Sequence, residues 1–176
     1  MELASIPFFL GGMYMKKYKN VVLFLLIVLV FSLTIRINTL PVLVDGRSME
    51  PTLYDHDFFL SNRNSIKSLK RFDIVVAYSH QLNENIVKRV IGMPFDKMEY
   101  RDNKLYINGQ YIKEPFLQDS MTNDFTITLK KNQYFLMGDN RLHSTDSREL
   151  GPFSLQDISS RDGVIVFPLS HFKNIQ

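Results

Sequence analysis

The chain has no cysteine, which removes thiol nucleophiles, disulfides and cysteine-ligated zinc from consideration. Its four histidines, His56, His80, His143 and His171, show no HExxH spacing, so the zincin arrangement is missing too. Lys and Arg number 21 against 18 Asp and Glu, a formal charge of +3, without the clustered basic stripe that grips a phosphate backbone. Nucleic acid is therefore not an expected partner, no metal or other cofactor is implied, and any catalysis must run on oxygen and nitrogen groups. There is no internal repeat and no low-complexity linker. With 176 residues, the chain has room for one sizeable domain once a membrane segment is set aside.

Such a segment is present. Residues 21–35 read VVLFLLIVLVFSLTI, preceded by Lys16, Lys17 and Lys19 and followed by Arg36. The run is short of the roughly 20 residues of a typical span, but Asn20 and the residues after Ile35 bring a tilted span within reach. A cleavable signal peptide would end in a small-residue site, yet no alanine lies between Ala4 and Ala77, so an uncleaved anchor is expected. The lysines before the span orient the N-terminus towards the cytoplasm. The expected division is a cytoplasmic segment over residues 1–19, a single-pass anchor over 20–38 and an extracytoplasmic domain over 39–176. Residues 1–14, MELASIPFFLGGMY, keep neither a targeting pattern nor a helical period, and the native start is either Met1 or Met15, which opens MKKYKN, an ordinary flank for an anchor.

From about residue 42, short runs rich in Val, Ile, Phe and Tyr alternate with turn residues, and no long stretch keeps a 3.6-residue period. A mainly β domain of antiparallel strands is expected, with strands in PVLVDG, DFFLSN, DIVVAYS, NIVKRVIG, KMEYRDN, KLYIN, QYIKE, DFTITLK, QYFLMGD and GVIVFPL. Asn108-Gly109, between two alternating segments, predicts a two-residue type I′ hairpin. Residues 97–131 are read as a small inserted lobe.

Three stretches could carry chemistry. In GRSMEPTL, residues 46–53, Ser48 opens the domain beside the membrane segment, Gly46 and Pro51 shape the backbone, and Met49 is expected to be exposed. The bland reading is a turn, or the cap of a short helical turn near Pro51. In IVKRVIGMP, residues 86–94, strand alternation separates Lys88 from Arg89, so one cation must lie among apolar neighbours unless this is an edge strand with both in solvent. Lys88 is the one that could serve as a base, provided desolvation lowers its pKa by roughly 2 to 3 units; Arg89 cannot be deprotonated. In FLMGDNRLHSTDSRELGP, residues 135–152, the spacing is wrong for a calcium loop. The loop is either an Asx-turn network around Asp139 and Asn140, with Asp146 paired to Arg148 or Arg141, or a support for a catalytic lysine through Ser144 or Ser147. A Ser48–His143–Asp139 or Asp146 triad is the competing assignment.

Taken together, SMEPTL around Ser48, RFDIVV at residues 71–76, VKRVIGMPFD around Lys88 and GDNRLHSTDSRELG at residues 138–151 resemble the type I signal peptidases. These are membrane-anchored serine proteases that cut signal peptides from exported preproteins. With the anchor, the resemblance spans nearly the whole chain. It implies the signal peptidase and repressor-protease type of β fold, Ser48 as nucleophile and Lys88 as general base. It further implies that Ser144 supports the lysine, that Asp146 and Arg148 stabilise the loop, and that the Ser48 backbone N–H binds the oxyanion. Met49 and Pro51 would lie beside a substrate carrying small side chains one and three residues before the cut. Preproteins and the lipid bilayer are the implied partners, in a bacterial membrane of Gram-positive type. Two positions depart from the family pattern. Gly46 replaces a serine that some members place two residues before the nucleophile, and Phe95 replaces a common glycine, suggesting a different turn. A self-cleaving repressor-type protease and a membrane-tethered, non-enzymatic β module are the rival readings; the lipid span argues against the first.

Overall fold

The computed structural model describes residues 10–64, 66–117 and 121–175. The chain divides at Asn38/Thr39 into two units. The first holds one helix, α1 (Leu10–Asn38). Its Tyr18–Asn38 portion is long and apolar enough to cross a membrane, about 31 Å at 1.5 Å per residue, and its apolar side chains are exposed all round. A helix apolar all round is stable only where its whole surface leaves water, in a protein core or in lipid. The helix takes in Gly11 and Gly12, which the sequence pattern leaves outside any element. Residues 1–9 lie outside the described residues.

The second unit is built from antiparallel strands. A main sheet of eight uses β1 (Thr39–Leu43), β2 (Phe58–Asn62), β3 (Ile74–Ser79), β4 (Glu84–Gly92), β9 (Gln133–Met137), β10 (Phe153–Ser154), β11 (Ile158–Phe167) and β12 (Lys173–Ile175). Their order is β1-β2-β11-β3-β4-β9-β10, with β12 beside β11. Between β4 and β9 the chain forms a second sheet from β5 (Lys97–Arg101), β6 (Lys104–Ile107), β7 (Gln110–Ile112) and β8 (Phe125–Thr128), in the order β7-β6-β5-β8. Asn108 and Gly109 have φ of 52° and 82°, as the type I′ hairpin between β6 and β7 requires.

Strand β3 is buried on both faces, which explains its unbroken IVVA run. Ile74 and Val76 pack with Val44, Met49, Leu53 and Phe59, whereas Val75 and Ala77 pack with Ile86, Val90 and Leu136. Met98, Tyr100, Leu105 and Ile107 of the inserted lobe close over Ile91, Phe135 and Met137. The lobe is thus fastened to the ends of the two strands that carry Lys88 and lead into the GDNR loop.

Three sequence expectations are corrected. Strand β4 is interior, paired on one side with β3 and, from Arg89 onward, on the other with β9. Lys88 and Arg89 are both buried, because Arg89 brings its own counter-ion in Asp139. Met49 is buried at 1 % exposure, since the turn after Ser48 folds it back onto the Val44 and Leu53 side of the core. Phe95 takes φ of 70°, a conformation glycine adopts without cost, so the turn is a glycine-type turn despite the phenylalanine.

Candidate active site

Ser48 lies in a tight turn following β1. Glu50 N–H donates to the Arg47 carbonyl, and Thr52 and Leu53 N–H groups to that of Met49, so the backbone curls once and presents the Ser48 side chain at its outer corner. The adjacent loop holds the turn from outside, with Asn140 N–H donating to the Ser48 carbonyl at 3.0 Å. Among the described residues the Ser48 N–H has no protein acceptor. Gly46 offers no side chain, and its own N–H donates to Asp55. It therefore supplies no second oxyanion donor.

Strand β4 delivers Lys88 to this corner. Its Nζ lies 2.8 Å from Ser48 Oγ and 3.0 Å from the Val87 carbonyl. Desolvation pushes the amine down to about 8, with Asp146, Glu84 and Asp139 holding it up against that pull. An ammonium stripped of water is destabilised, and the nearby carboxylates give back part of the loss.

Residues 138–151 supply the third side. The Ser144 hydroxyl donates to Asp146 Oδ2 at 2.8 Å, as does the Gly138 N–H at 3.0 Å. Arg148 closes on Asp146 with Nε and Nη2, each at 2.8 Å. Burial opposes the charged carboxylate, but Arg148, the Gly138 N–H and the Ser144 hydroxyl outweigh it and hold Asp146 below the usual carboxylate range. Ser147 accepts from the Leu136 N–H, and neither serine bonds the Lys88 amine among the described residues. Asp146 also caps the short helix α2 (Ser147–Leu150).

Of the Asx-turn reading the Asp146–Arg148 pairing is present, and Asp139 takes part in a buried ion pair that the reading did not include. Arg89 Nε and Nη2 reach Oδ1 and Oδ2 of Asp139 at 2.8 and 2.7 Å, and Thr52 donates to the same carboxylate. His143 is exposed and bonds Asn140 through Nδ1 at 3.0 Å, so the triad is not assembled. Gly138 escaped the sequence reading as an individual site residue. A Cβ placed on it would stand 2.4 Å from the Ser48 carbonyl oxygen and 2.3 Å from Ser144 Oγ, so only glycine lets the loop come this close. Its position inside the polar loop was the one available signal.

A groove of about 580 Å³ includes both Ser48 and Lys88 in its lining, with Val44, Met49, Val76 and Val87 among its apolar wall residues. Among the described residues, β1 pairs with no strand other than β2 and residues 84–88 of β4 pair with β3 alone. Pro51 is half-buried and is not part of the groove wall. Among the described residues no cluster could hold a metal ion.

Residues 17–167 match the family described as signal peptidase, peptidase S26. The chain belongs to the signal peptidase family. It is 37% identical to signal peptidase I P of Bacillus subtilis subsp. natto, over 76% of this chain and 79% of that one. To signal peptidase I U of Bacillus subtilis (strain 168) it is 33% identical, over 90% of this chain and 92% of the relative. The crystal structure of a signal peptidase I from Enterococcus faecalis V583 superposes with a TM-score of 0.51 at 35% identity, covering 55% of this chain and 98% of that one. The antiparallel β architecture is thus that of a signal peptidase I. As a type I signal peptidase the protein is a serine peptidase, a hydrolase that removes signal peptides, and its substrates are preproteins.

Proposed function

We propose that this signal peptidase works through a Ser48/Lys88 dyad. The observation that carries the reading is the 2.8 Å contact between Lys88 Nζ and Ser48 Oγ at a place where desolvation pushes the amine down to about 8. Lys88 takes the hydroxyl proton as Ser48 Oγ adds to the scissile carbonyl, and the resulting ammonium protonates the departing amine. Lys88, neutral again, then deprotonates a water that attacks the acyl ester, and the proton returns to Ser48 as the ester breaks. The Ser48 N–H faces the oxyanion, a donor worth roughly 3 to 4 kcal/mol. Ser144, Asp146 and Arg148 fix the loop that borders the amine.

An extended substrate adds as a strand in the groove, beside β1 and β4. Small side chains one and three residues before the cut fit against Val44, Met49, Val76 and Val87, which line it. Met49 thus acts from the buried side of the wall, and Pro51 by holding the turn. The protein is anchored in a bacterial cell membrane by residues 20–38, with residues 1–19 cytoplasmic and the peptidase domain, residues 39–176 with its lobe at 97–131, outside.

The test is cleavage of a model preprotein by the full chain in lipid, alongside Ser48→Ala, Lys88→Ala and Lys88→Arg. Cleavage after the alanine of an A-x-A site, abolished in all three variants, is the expected result. An active Lys88→Arg enzyme would refute a lysine base, since arginine stays charged. Protease added to intact cells should degrade the peptidase domain; protection of that domain would reverse the topology.

A further inference from the structure

One buried guanidinium, that of Arg141, belongs to the active-site loop, a second, that of Arg89, pairs with the loop through Asp139, and one short segment of the inserted lobe, residues 114–116, touches both. The Arg141 side chain, 0% exposed, is paired with Glu114, 5% exposed. Arg141 Nη1 also donates to the Tyr100 hydroxyl and to Thr122 at 3.1 Å, and the Tyr100 hydroxyl donates to Glu114 Oε2 at 2.6 Å. Burial pushes the Tyr100 phenol far above its ordinary pKa, so the hydroxyl keeps its proton. The remaining arm of Arg141, Nε, donates to the Gly138 carbonyl at 3.0 Å. Two residues beyond Glu114, the Phe116 ring lies 4.1 Å from the Arg89 guanidinium, the group that grips Asp139, and packs edge-on against Phe72.

We propose that residues 114–116 form a strap by which the inserted lobe sets the position of the catalytic loop, with Glu114 acting through Arg141 and Phe116 through Arg89. Both are positioning residues, without contact to Ser48 or Lys88. A guanidinium offers a rigid planar fork, so a carboxylate at one side fixes the direction of the donors at the other. Here the fixed donor ends on Gly138, the residue whose N–H holds Asp146 and whose backbone is wedged against the Ser48 carbonyl and Ser144. A displacement of about 1 Å at such a point can cost about 100-fold in rate. The lobe is then a working part of the active site. The proposal rests on the dyad reading only for what the loop serves.

A purely structural role would make the same contacts, so the test must separate rate from stability. The paired replacement Glu114→Leu with Arg141→Met removes both charges and leaves neither orphaned. In the full chain in lipid it should melt below wild type, since the Tyr100 hydroxyl, Thr122 and the Gly138 carbonyl lose the Arg141 donors, yet remain folded at the assay temperature. Its kcat should fall about 10- to 100-fold with KM within about twofold. The midpoint of the pH–rate profile should move upward, as water reaches Lys88 through the loosened loop. A folded variant with wild-type kcat and midpoint overturns the proposal. Should the double variant fail to fold, Tyr100→Phe, which deletes a single oxygen, carries the test. A severalfold loss of kcat with the same upward displacement supports the strap, and an unchanged profile overturns it. Lys88→Ala runs beside these variants. Full activity there would sink the dyad reading, while the kcat comparison would still judge the strap.

Discussion

Lys88 Nζ lies 2.8 Å from Ser48 Oγ on a side chain whose residue is 4% exposed. Such a contact is costly to the fold. The amine is pushed down from 10.5 to about 8 by desolvation, a difference of about 3 kcal/mol between its protonation states. Below pH 8 the lysine is charged in both folded and unfolded chains, and the full penalty applies. Between about 8 and 10.5 the unfolded chain binds more protons than the folded one, so stability rises with pH until both are neutral. We expect Lys88→Met to be inactive yet more stable than wild type at pH 7, by up to about 3 kcal/mol, with the gap closing above pH 10.5. Urea unfolding of both proteins at pH 7 and 11 checks this; a less stable Met variant at pH 7 would contradict it.

The same amine should govern the pH dependence of activity. Cleavage by wild type should rise through a midpoint near 8 as the base becomes neutral. The Asp146 carboxylate holds the amine up, so Asp146→Asn should shift the midpoint towards lower pH. It should also lower the plateau, because Arg148 and the Gly138 N–H lose their charged acceptor. An upward shift would mean that Asp146 does not act on Lys88 through its charge.

The β architecture and the inserted lobe were legible in the sequence because alternating strands and an Asn-Gly turn are local signals. The burial of at least one cation of the Lys88-Arg89 pair was legible, because alternation along a strand puts one of the two among apolar neighbours. What escaped is the set of contacts made by residues far apart in the chain. That Arg89 would also be buried depends on Asp139, fifty positions on, and that Met49 would turn inward depends on the core it joins with Ile74, Val76 and Ile165. Strand β11 was read only from Gly163, whereas it starts at Ile158 and crosses a register shift between Arg161 and Gly163. A bulge breaks the alternation on which sequence reading relies.

Arg89 and Asp139 form an ion pair with side chains 3% and 0% exposed. Removing one partner leaves a buried, uncompensated charge, so Asp139→Asn should destabilise the domain by about 3 to 5 kcal/mol. The double replacement Arg89→Met with Asp139→Leu should cost clearly less than the sum of the two single changes. Denaturant midpoints of the four proteins give the coupling directly. Simple additivity would show that the pair is not a coupled unit.

Gly138 offers the sharpest test of how closely the loop must approach the nucleophile. A methyl group there would meet the Ser48 carbonyl oxygen at 2.4 Å and the Ser144 side chain at 2.3 and 2.6 Å. The Ser144 hydroxyl could rotate away, but the Ser48 carbonyl belongs to the turn that presents the proposed nucleophile and also accepts from the Asn140 N–H. The strain must therefore move either the loop or the turn. A displacement of about 1 Å in either separates the serine, the lysine and the oxyanion donor enough to cost about 100-fold in rate. Since overpacking by one methyl costs typically 1 to 3 kcal/mol, Gly138→Ala should remain folded at 25 °C. The expected outcome is a folded enzyme with kcat reduced about 100-fold and little change in KM, measured on a preprotein alongside a thermal melt. Full activity in a folded Gly138→Ala would mean that the loop and the nucleophile turn can part without consequence, and that the close approach at Gly138 is not what aligns the dyad.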